Sequence, residues 1–523
     1  MNLRRFLAEP RRRALAVLAA AAGAALTGWG GRAAWRAWTT PVRLDTVRGS
    51  YLHYDIIDIR LRARDPKLLE RWRKIPPRAA VVRDGRVVTT IGGIESVPLV
   101  WDAAASAFVG RWPCPWNAPA GHYWLELPGD SGLGGRLRAT PFEIAYRRPK
   151  RLPKHFVAVT LESSRHFGDW KVKTPDGTMR GWRGMLDWAE FVGADAFWIM
   201  VGESPGRRPG EVWVSHNLPL IPMVAAECRK RGIALGVYAM VYLTMSRTDR
   251  LARYEYASEV VEGAPVLTRA ISLRDPRRPQ DVIDLLNSLK TIPGVEYLGL
   301  DYIRNAQGGE ELIDDFLAEM PGLRPPAGWE RLTPAERMTW FVRKRILRKD
   351  QAFMDAWQWW RARRVALIVR RIKDGVGDDK HLWAFTLTWA KGWNHGQDPV
   401  MMNDAGVDVD ALMFYEATAE QFRVMVKDWG RYVRRSDAQL VVGDIVDWPL
   451  HQRSRKGPRD MRERLTAAIH GVYRDGPAAG IFIHDLGRAV GGRLGAWSTK
   501  EWLAEARRTA AHLRSLPAGG PGL

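Results

Sequence analysis

Seven carboxylates stand at or just beyond the ends of short apolar runs: Glu162, Glu203, Asp301, Glu416, Asp444, Asp447 and Asp485. Two carboxyls facing one another are what cleavage of a glycosidic bond ordinarily needs. One protonates the leaving oxygen, and the other attacks the anomeric carbon or activates a water. Asp301 is the leading candidate, because the stretch VEYLGLDYIR from Val295 to Arg304 places it at the end of a hydrophobic run without helical spacing. Glu416 is the expected catalytic partner, since alternate strands of a barrel contribute to the same layer and the fourth and sixth would bring both residues to one mouth. A separation of ~5 to 5.5 Å would give retention and ~6.5 to 9.5 Å inversion. The sequence leaves both open.

Tyr302, Arg304, Trp389, Trp393, His395, Asp444, Trp448 and Asp485 are the expected substrate-binding residues around this pair. The 25 tryptophans support a saccharide ligand, because flat apolar sugar faces stack on indole rings while the N–H satisfies a hydroxyl. Trp188, Trp198 and Trp502 are assigned to the core. The plainer alternative for any single acid is a helix cap or a partner for an arginine such as Arg304. No G-x-S-x-G elbow, Walker loop or zinc-binding H-E-x-x-H occurs, and the 11 histidines lack ligand spacing. No cofactor or metal is implied.

The elements needed to hold such a site are legible over the C-terminal two thirds. Eight apolar runs read as strands: His155 to Leu161, Ala194 to Val201, Ile233 to Tyr238, Val295 to Asp301, Leu382 to Thr388, Ala411 to Tyr415, Leu440 to Ile445 and Gly480 to His484. Helical spacing marks Leu220 to Arg231, Gln280 to Lys290, Arg459 to Tyr473 and Lys500 to Leu513. Alternation of this kind predicts an α/β fold, a (β/α)8 TIM barrel over 149–523. The interval 305–380 is too long for a simple return and is expected to carry extra helices overhanging the active edge.

The N-terminal third reads differently. Residues 41–148 show period-two strands, with Asp84 and Gly85 as a hairpin turn and further strands at His122 to Leu127 and Phe142 to Tyr146. A small all-β sandwich is expected. Residues 1–40 carry Arg4, Arg5, Arg11, Arg12 and Arg13 before an Ala- and Leu-rich run, the pattern of an export signal. Arg32, Trp35, Arg36 and Trp38 would suit retention as a short inner-membrane anchor, which places the protein outside the cytoplasm, periplasmic or extracellular.

A chain of 523 residues with a net charge of +22 suggests nucleic acid only where the basic residues gather in a motif, and here they are spread along the sequence. Nucleic acid is excluded as a partner on that ground. The densest basic stretch, Arg343 to Lys373 around Trp357, Trp359 and Trp360, reads as an amphipathic helix with a solvated basic face. Its alternative is a surface for anionic glycan or phospholipid headgroups. Cys114 and Cys228 read as buried hydrophobes.

The motifs VEYLGLDYIR and TLTWAKGWNHGQDPVMMNDAGVDVDALMFYEA, with the order of the strands around them, resemble the family 10 glycosyl-hydrolase-like barrels of bacterial envelopes, over roughly Lys154 to Leu516. The segment RWPCPWNAPAGHYWLEL and the closing FEIAYR are similar to immunoglobulin-like or macroglobulin-like modules. The first resemblance implies hydrolysis of an envelope glycan such as peptidoglycan and carries over to Asp301, Tyr302, Ile303 and Arg304. It also assigns Asp398 to shaping the loop after the fifth strand. Asn305 and the MFYEAT run depart from that family's pattern. The expected function is therefore glycoside hydrolysis in an envelope or extracellular polysaccharide. The alternative is a non-catalytic glycan-binding or polysaccharide-export scaffold protein.

Overall fold

The computed structural model describes residues 42–131, 133, 137–139, 141–162, 166–204, 211–244, 250–305, 308–388, 395–415, 419–446, 457–491 and 496–517. The segment 1–40 and the residues Glu416, Asp447, Trp389, Trp393 and Trp448 lie outside them. Among the described residues no helix is long and apolar enough to cross a membrane.

Eight parallel strands form the C-terminal body: β1 (Phe156–Leu161), β2 (Ala196–Ser204), β3 (Ala234–Thr244), β4 (Val295–Asp301), β5 (His381–Leu387), β6 (Val409–Met413), β7 (Leu440–Ile445) and β8 (Gly480–His484). They neighbour one another in the order 2-1-8-7-6-5-4-3, and pairing of β2 with β3 closes the ring. This is the expected (β/α)8 barrel. Its helices are α1 (Arg183–Val192), α2 (Ile221–Lys230), α3 (Arg278–Lys290), α4 (Gln351–Val376), α5 (Pro399–Ala405), α6 (Ala419–Tyr432), α7 (Pro458–Gly471) and α8 (Thr499–Ser515).

Alternate strand residues point inward, and the inward set forms its own core of Phe156, Ala158, Trp198, Tyr238, Tyr297, Trp383, Phe385, Phe482 and neighbours. Trp198 and Trp383 stack with ring centroids 4.0 Å apart. Glycine on adjacent strands makes room for them. A Cβ at Gly236 would lie 2.1 Å from Trp198, and one at Gly299 would lie 2.3 Å from Trp383. Trp188, Trp198 and Trp502 are buried as expected.

Two insertions crowd the C-terminal edge of the barrel. After β3 a hairpin, Tyr256–Val261 and Ala264–Ile271, continues the sheet through the pairing of Leu243 with Ala270. Between β4 and β5 stand short helices at Ile313–Glu319 and Pro334–Val342, the second packed on that hairpin, and then the long α4. The extra helices were expected and the hairpin was not.

The basic face of α4 is less solvated than its sequence predicts. Arg361 and Lys373 are buried, while Arg363 and Arg364 pair with Glu319 at 3.3 and 2.9 Å. Trp357, Trp359 and Trp360 are fully buried beneath them. The helix is wedged between the barrel and the N-terminal sheets, and Trp359 Nε1 donates to the carbonyl of Cys114 at 2.8 Å.

The N-terminal sheets face each other across a shared core that includes Ile57, Ile59, Phe108, Trp112, Tyr123 and Leu125. One has the order Val42–Thr46, Ile56–Ala63, Ala107–Pro113, Val100–Asp102. The other is built on Gly121–Leu127 with Phe142–Ile144 and Arg78–Arg83 at its sides. Asp84 and Gly85 both have positive φ, 50° and 75°, as a two-residue hairpin turn demands. One helix, Pro66–Lys74, interrupts the all-β pattern and sends Trp72 into the core.

A buried histidine ties the sandwich to the barrel. His53 donates its backbone N–H to Asp404 Oδ2 on α5 at 3.0 Å, and its ring Nδ1 meets the same oxygen at 2.6 Å. Nε2 lies 2.7 Å from the carbonyl oxygen of Ala118. Both ring nitrogens face acceptors, so the ring holds both protons. Burial opposes that charge, but the charge and hydrogen bond of Asp404 outweigh it and raise the pKa above the ordinary histidine value. The contribution is complete below the unfolded value of about 6.5 and is lost as pH rises through the folded one. Unfolding titrations should show stability falling as pH climbs from 6.5. His53→Gln should flatten that slope and cost roughly 3 kcal/mol at pH 6; an unchanged slope would refute the assignment.

Candidate active site

Inward register decides which strand-end side chains meet. On β4 the inward residues are Tyr297, Gly299 and then Asp301, so the carboxyl of Asp301 caps the barrel interior. Beyond β1 the same alternation runs Phe156, Ala158, Thr160 and then Glu162. On β8 it ends at His484. These residues converge on a cavity of about 230 Å³ lined by Glu162, Asp301, Tyr302, Arg304, Phe385, Leu387, Met413, Tyr415, Ile445, His484 and Arg488. It opens at the C-terminal ends of the strands, where barrel enzymes place their chemistry. A larger groove of about 940 Å³, lined by Arg83, Arg86, Asn117, Arg434 and Asp437 among others, lies between the sandwich and the N-terminal ends of β7 and β8. That end of a barrel serves stability.

The two cavity carboxyls are driven in opposite directions. Burial, followed by the charge of Glu162, raises the pKa of Asp301 to about 7, against the pull of Arg304, the Tyr302 N–H and His484. Its Oδ1 accepts that N–H at 2.8 Å. Tyr302 itself has a φ of 51°, a left-handed conformation that costs energy in a bulky residue and turns the chain away directly behind the carboxyl. Burial also works against ionisation of Glu162, but the hydrogen bond and charge of His484 and the charge of Arg488 outweigh it and hold the carboxyl below its ordinary value.

His484 organises this asymmetry. Its Nε2 stands 3.1 Å from Glu162 Oε2 and its Nδ1 2.8 Å from Thr160 Oγ1. Burial would favour the neutral ring, yet Glu162 and then Asp485 raise its pKa above the ordinary value. Tyr415 stacks on the imidazole, centroids 5.1 Å apart. One carboxyl is thus held protonated near neutrality and the other ionised, which is the division of labour that acid–base cleavage of an acetal requires.

The expected residues fare unequally. Asp301, Tyr302 and Arg304 line the cavity. His395 lies outside its lining, half-buried, and burial with the charges of Arg304 and Arg361 lowers its pKa to about 4, so it is a neutral ring. Asp444 is not a substrate ligand. It has the outward register on β7, is fully buried, and pairs with Arg464 of α7 at 2.5 Å. Asp485 is also structural, being buried as the N-cap of the short helix Leu486–Val490, where it accepts the Arg488 N–H at 2.8 Å. Asp398 caps α5 in the same way, accepting from Met401 N–H at 2.8 Å, and so shapes the loop after β5. Glu203 lies near the end of β2, past a register shift in that strand, and its backbone bridges Val214. Sequence reading undervalued Glu162 and His484, although the two-residue period from Phe156 points to the first. Among the described residues no cluster of three or more His, Cys, Asp or Glu side chains is arranged to hold a metal ion.

No protein-family model matches the chain, and no curated protein matches it in sequence. Solved structures do resemble it. A β-galactosidase from the psychrophilic Marinomonas ef1 aligns with 69% of this chain at 11% identity and a TM-score of 0.44. An exo-β-1,4-mannosidase from Opitutaceae bacterium strain TAV5 aligns with 70% at 12% identity and a TM-score of 0.39. The alignments span 59% and 61% of those two proteins. The GH53 catalytic domain of Ignisphaera aggregans is covered over 99% of its length, at 12% identity and a TM-score of 0.36.

Proposed function

We propose that the protein hydrolyses glycosidic bonds in a bacterial envelope or extracellular polysaccharide, with Asp301 as proton donor and Glu162 as the second carboxyl. One observation carries this reading: a carboxyl with a pKa of about 7 shares a barrel-mouth cavity with a carboxyl held ionised by a histidine. Asp301 gives its proton to the glycosidic oxygen as the bond to the anomeric carbon breaks. The electron pair that carbon loses is replaced by Glu162 itself or by a water that yields its proton to Glu162. The phenol of Tyr415 is buried without a hydrogen-bond partner among the described residues and is available to a sugar hydroxyl.

Resemblance of Asp301 to Arg304 and their surroundings to the family 10 glycosyl-hydrolase-like barrels supports an envelope substrate. The arginine-led, Ala- and Leu-rich segment at 1–40 supports export, with anchoring to the inner membrane. The test is release of reducing ends from purified peptidoglycan and a panel of bacterial exopolysaccharides by the purified protein. Release from at least one polymer is expected. Binding without release from any of them would replace this reading with a glycan-binding scaffold.

A further inference from the structure

Arg304 is an arginine held in the wall of the candidate active site with no salt bridge to any described residue. It lines the cavity and only 6% of its surface is exposed. Among the described residues its buried Nη1 has no hydrogen-bond partner and no carboxylate lies within ion-pair distance of it. Its guanidinium rests on the Tyr302 ring, 4.5 Å from the centroid, a contact that orients its plane and leaves Nη1 without an acceptor among the described residues. The carboxyl whose charge acts on it is Asp301, which is protonated for part of the time at neutral pH.

Its surroundings deepen the imbalance. Arg269, on the hairpin after β3, acts electrostatically on Tyr302, and its own buried Nε has no hydrogen-bond partner among the described residues. Arg361 of α4 is buried, donates to the side chain of Gln358 and is acted on by the charge of Glu310. Glu310, the acid on this side, is engaged by Arg345 at 2.8 Å. Of these cations, Arg304 is the one that lines the cavity. A buried, unpaired guanidinium costs several kcal/mol, and a fold that retains one offers a strong site to whatever anion reaches it.

We infer that Arg304 is the carboxylate-binding point of this cleft, so that the sugar bound beside Asp301 is an acidic one. The inference rests on the hydrolase reading for where the sugar sits. A planar carboxylate matches the guanidinium fork with two parallel hydrogen bonds, which a hydroxyl cannot do. Two kinds of bacterial glycan that carry such a group are polymers of uronic acids, at C6, and peptide-free peptidoglycan strands, on the lactyl ether.

Binding to the full chain carrying Asp301→Asn tests this by calorimetry. The probes are oligogalacturonate, its methyl ester, peptide-free peptidoglycan strands, and the same strands with the carboxyls amidated. At least one free carboxylate should bind roughly 30-fold or more tightly than its neutralised form, because pairing a desolvated charge is worth about 2 kcal/mol or more. Adding Arg304→Met should abolish that preference. The probe that shows the preference names the source of the acid. The comparison of free and neutralised probes leaves Arg304 in place, so it stands even if the Met variant does not fold. Equal binding of both forms, no binding of either carboxylated probe, or a preference that survives Arg304→Met would overturn the inference. A carboxylate preference in a protein that never cleaves its ligand would sink the hydrolase reading and leave this one standing. Asp301-dependent cleavage of a neutral glycan without such a preference would do the reverse.

Discussion

Asp301→Asn should lower glycan hydrolysis by roughly 10²- to 10⁴-fold, the range that a positioned general acid contributes, and should leave the melting temperature at neutral pH unchanged or slightly raised. The two halves of this expectation have one cause. Asp301 is nearly fully buried, and burial is the larger part of what lifts its pKa to about 7. A carboxyl with a raised pKa stabilises the fold while protonated, below its unfolded value, and that contribution is lost as pH rises through the folded value. At pH 8 the wild type therefore carries an ionised group that the fold disfavours, and Asn is neutral at every pH. The Asn oxygen can also accept the Tyr302 N–H that Asp301 accepts at 2.8 Å. Only the proton is removed. Activity assays and thermal unfolding on the same preparation check both parts, and a loss of activity matched by a large fall in melting temperature would show that Asp301 serves the fold instead.

Much of this was legible in the sequence for reasons that differ between elements. Strand β4 was readable residue for residue because a strand buried on both faces leaves a short apolar run ending where the mouth begins. Register was readable too, but only as a period of two, and it separates residues that strand-end position alone treats alike. Asp444 and Asp301 both close apolar strands. Asp301 continues the inward series of Tyr297 and Gly299, whereas Asp444 follows the inward Gly443 and so faces Arg464. By the same count Glu162 belongs to the mouth, while the inward position beyond β6 falls on Tyr415. The pairing of His484 with Glu162 had no local signal, since β1 and β8 meet only when the ring closes. The hairpin at 256–271 did have one. Glu262 and Gly263, with φ of 51° and 84°, are the same kind of two-residue turn as Asp84 and Gly85, but the strands beside them lack an apolar face to announce them.

The second large effect follows from the coupling between the carboxyls. Glu162→Gln should abolish hydrolysis by roughly 10³-fold, because the remaining carboxyl can protonate a leaving oxygen but nothing attacks the anomeric carbon or takes a proton from water. It should also move a titration at a residue that was not changed. In the wild type, kcat/KM should form a bell. Its acid limb falls as Glu162 takes up a proton below its ordinary range, and its basic limb falls as Asp301 loses one near pH 7. The charge of Glu162 is the second cause, after burial, of the high value at Asp301, so removing it should shift the basic limb of the residual activity to lower pH. Burial is untouched by the substitution and should keep that limb above the ordinary carboxylate value. The measurement is the pH profile of residual turnover on a substrate with a good leaving group, with and without added azide. Azide that restores turnover would place Glu162 on the face opposite the leaving group, and the anomeric configuration of the sugar the wild type first releases would assign its role: retention makes it the nucleophile, inversion the base. A basic limb that stays where the wild type has it would mean that Asp301 and Glu162 do not share the site, and the proposed pair would fall with it.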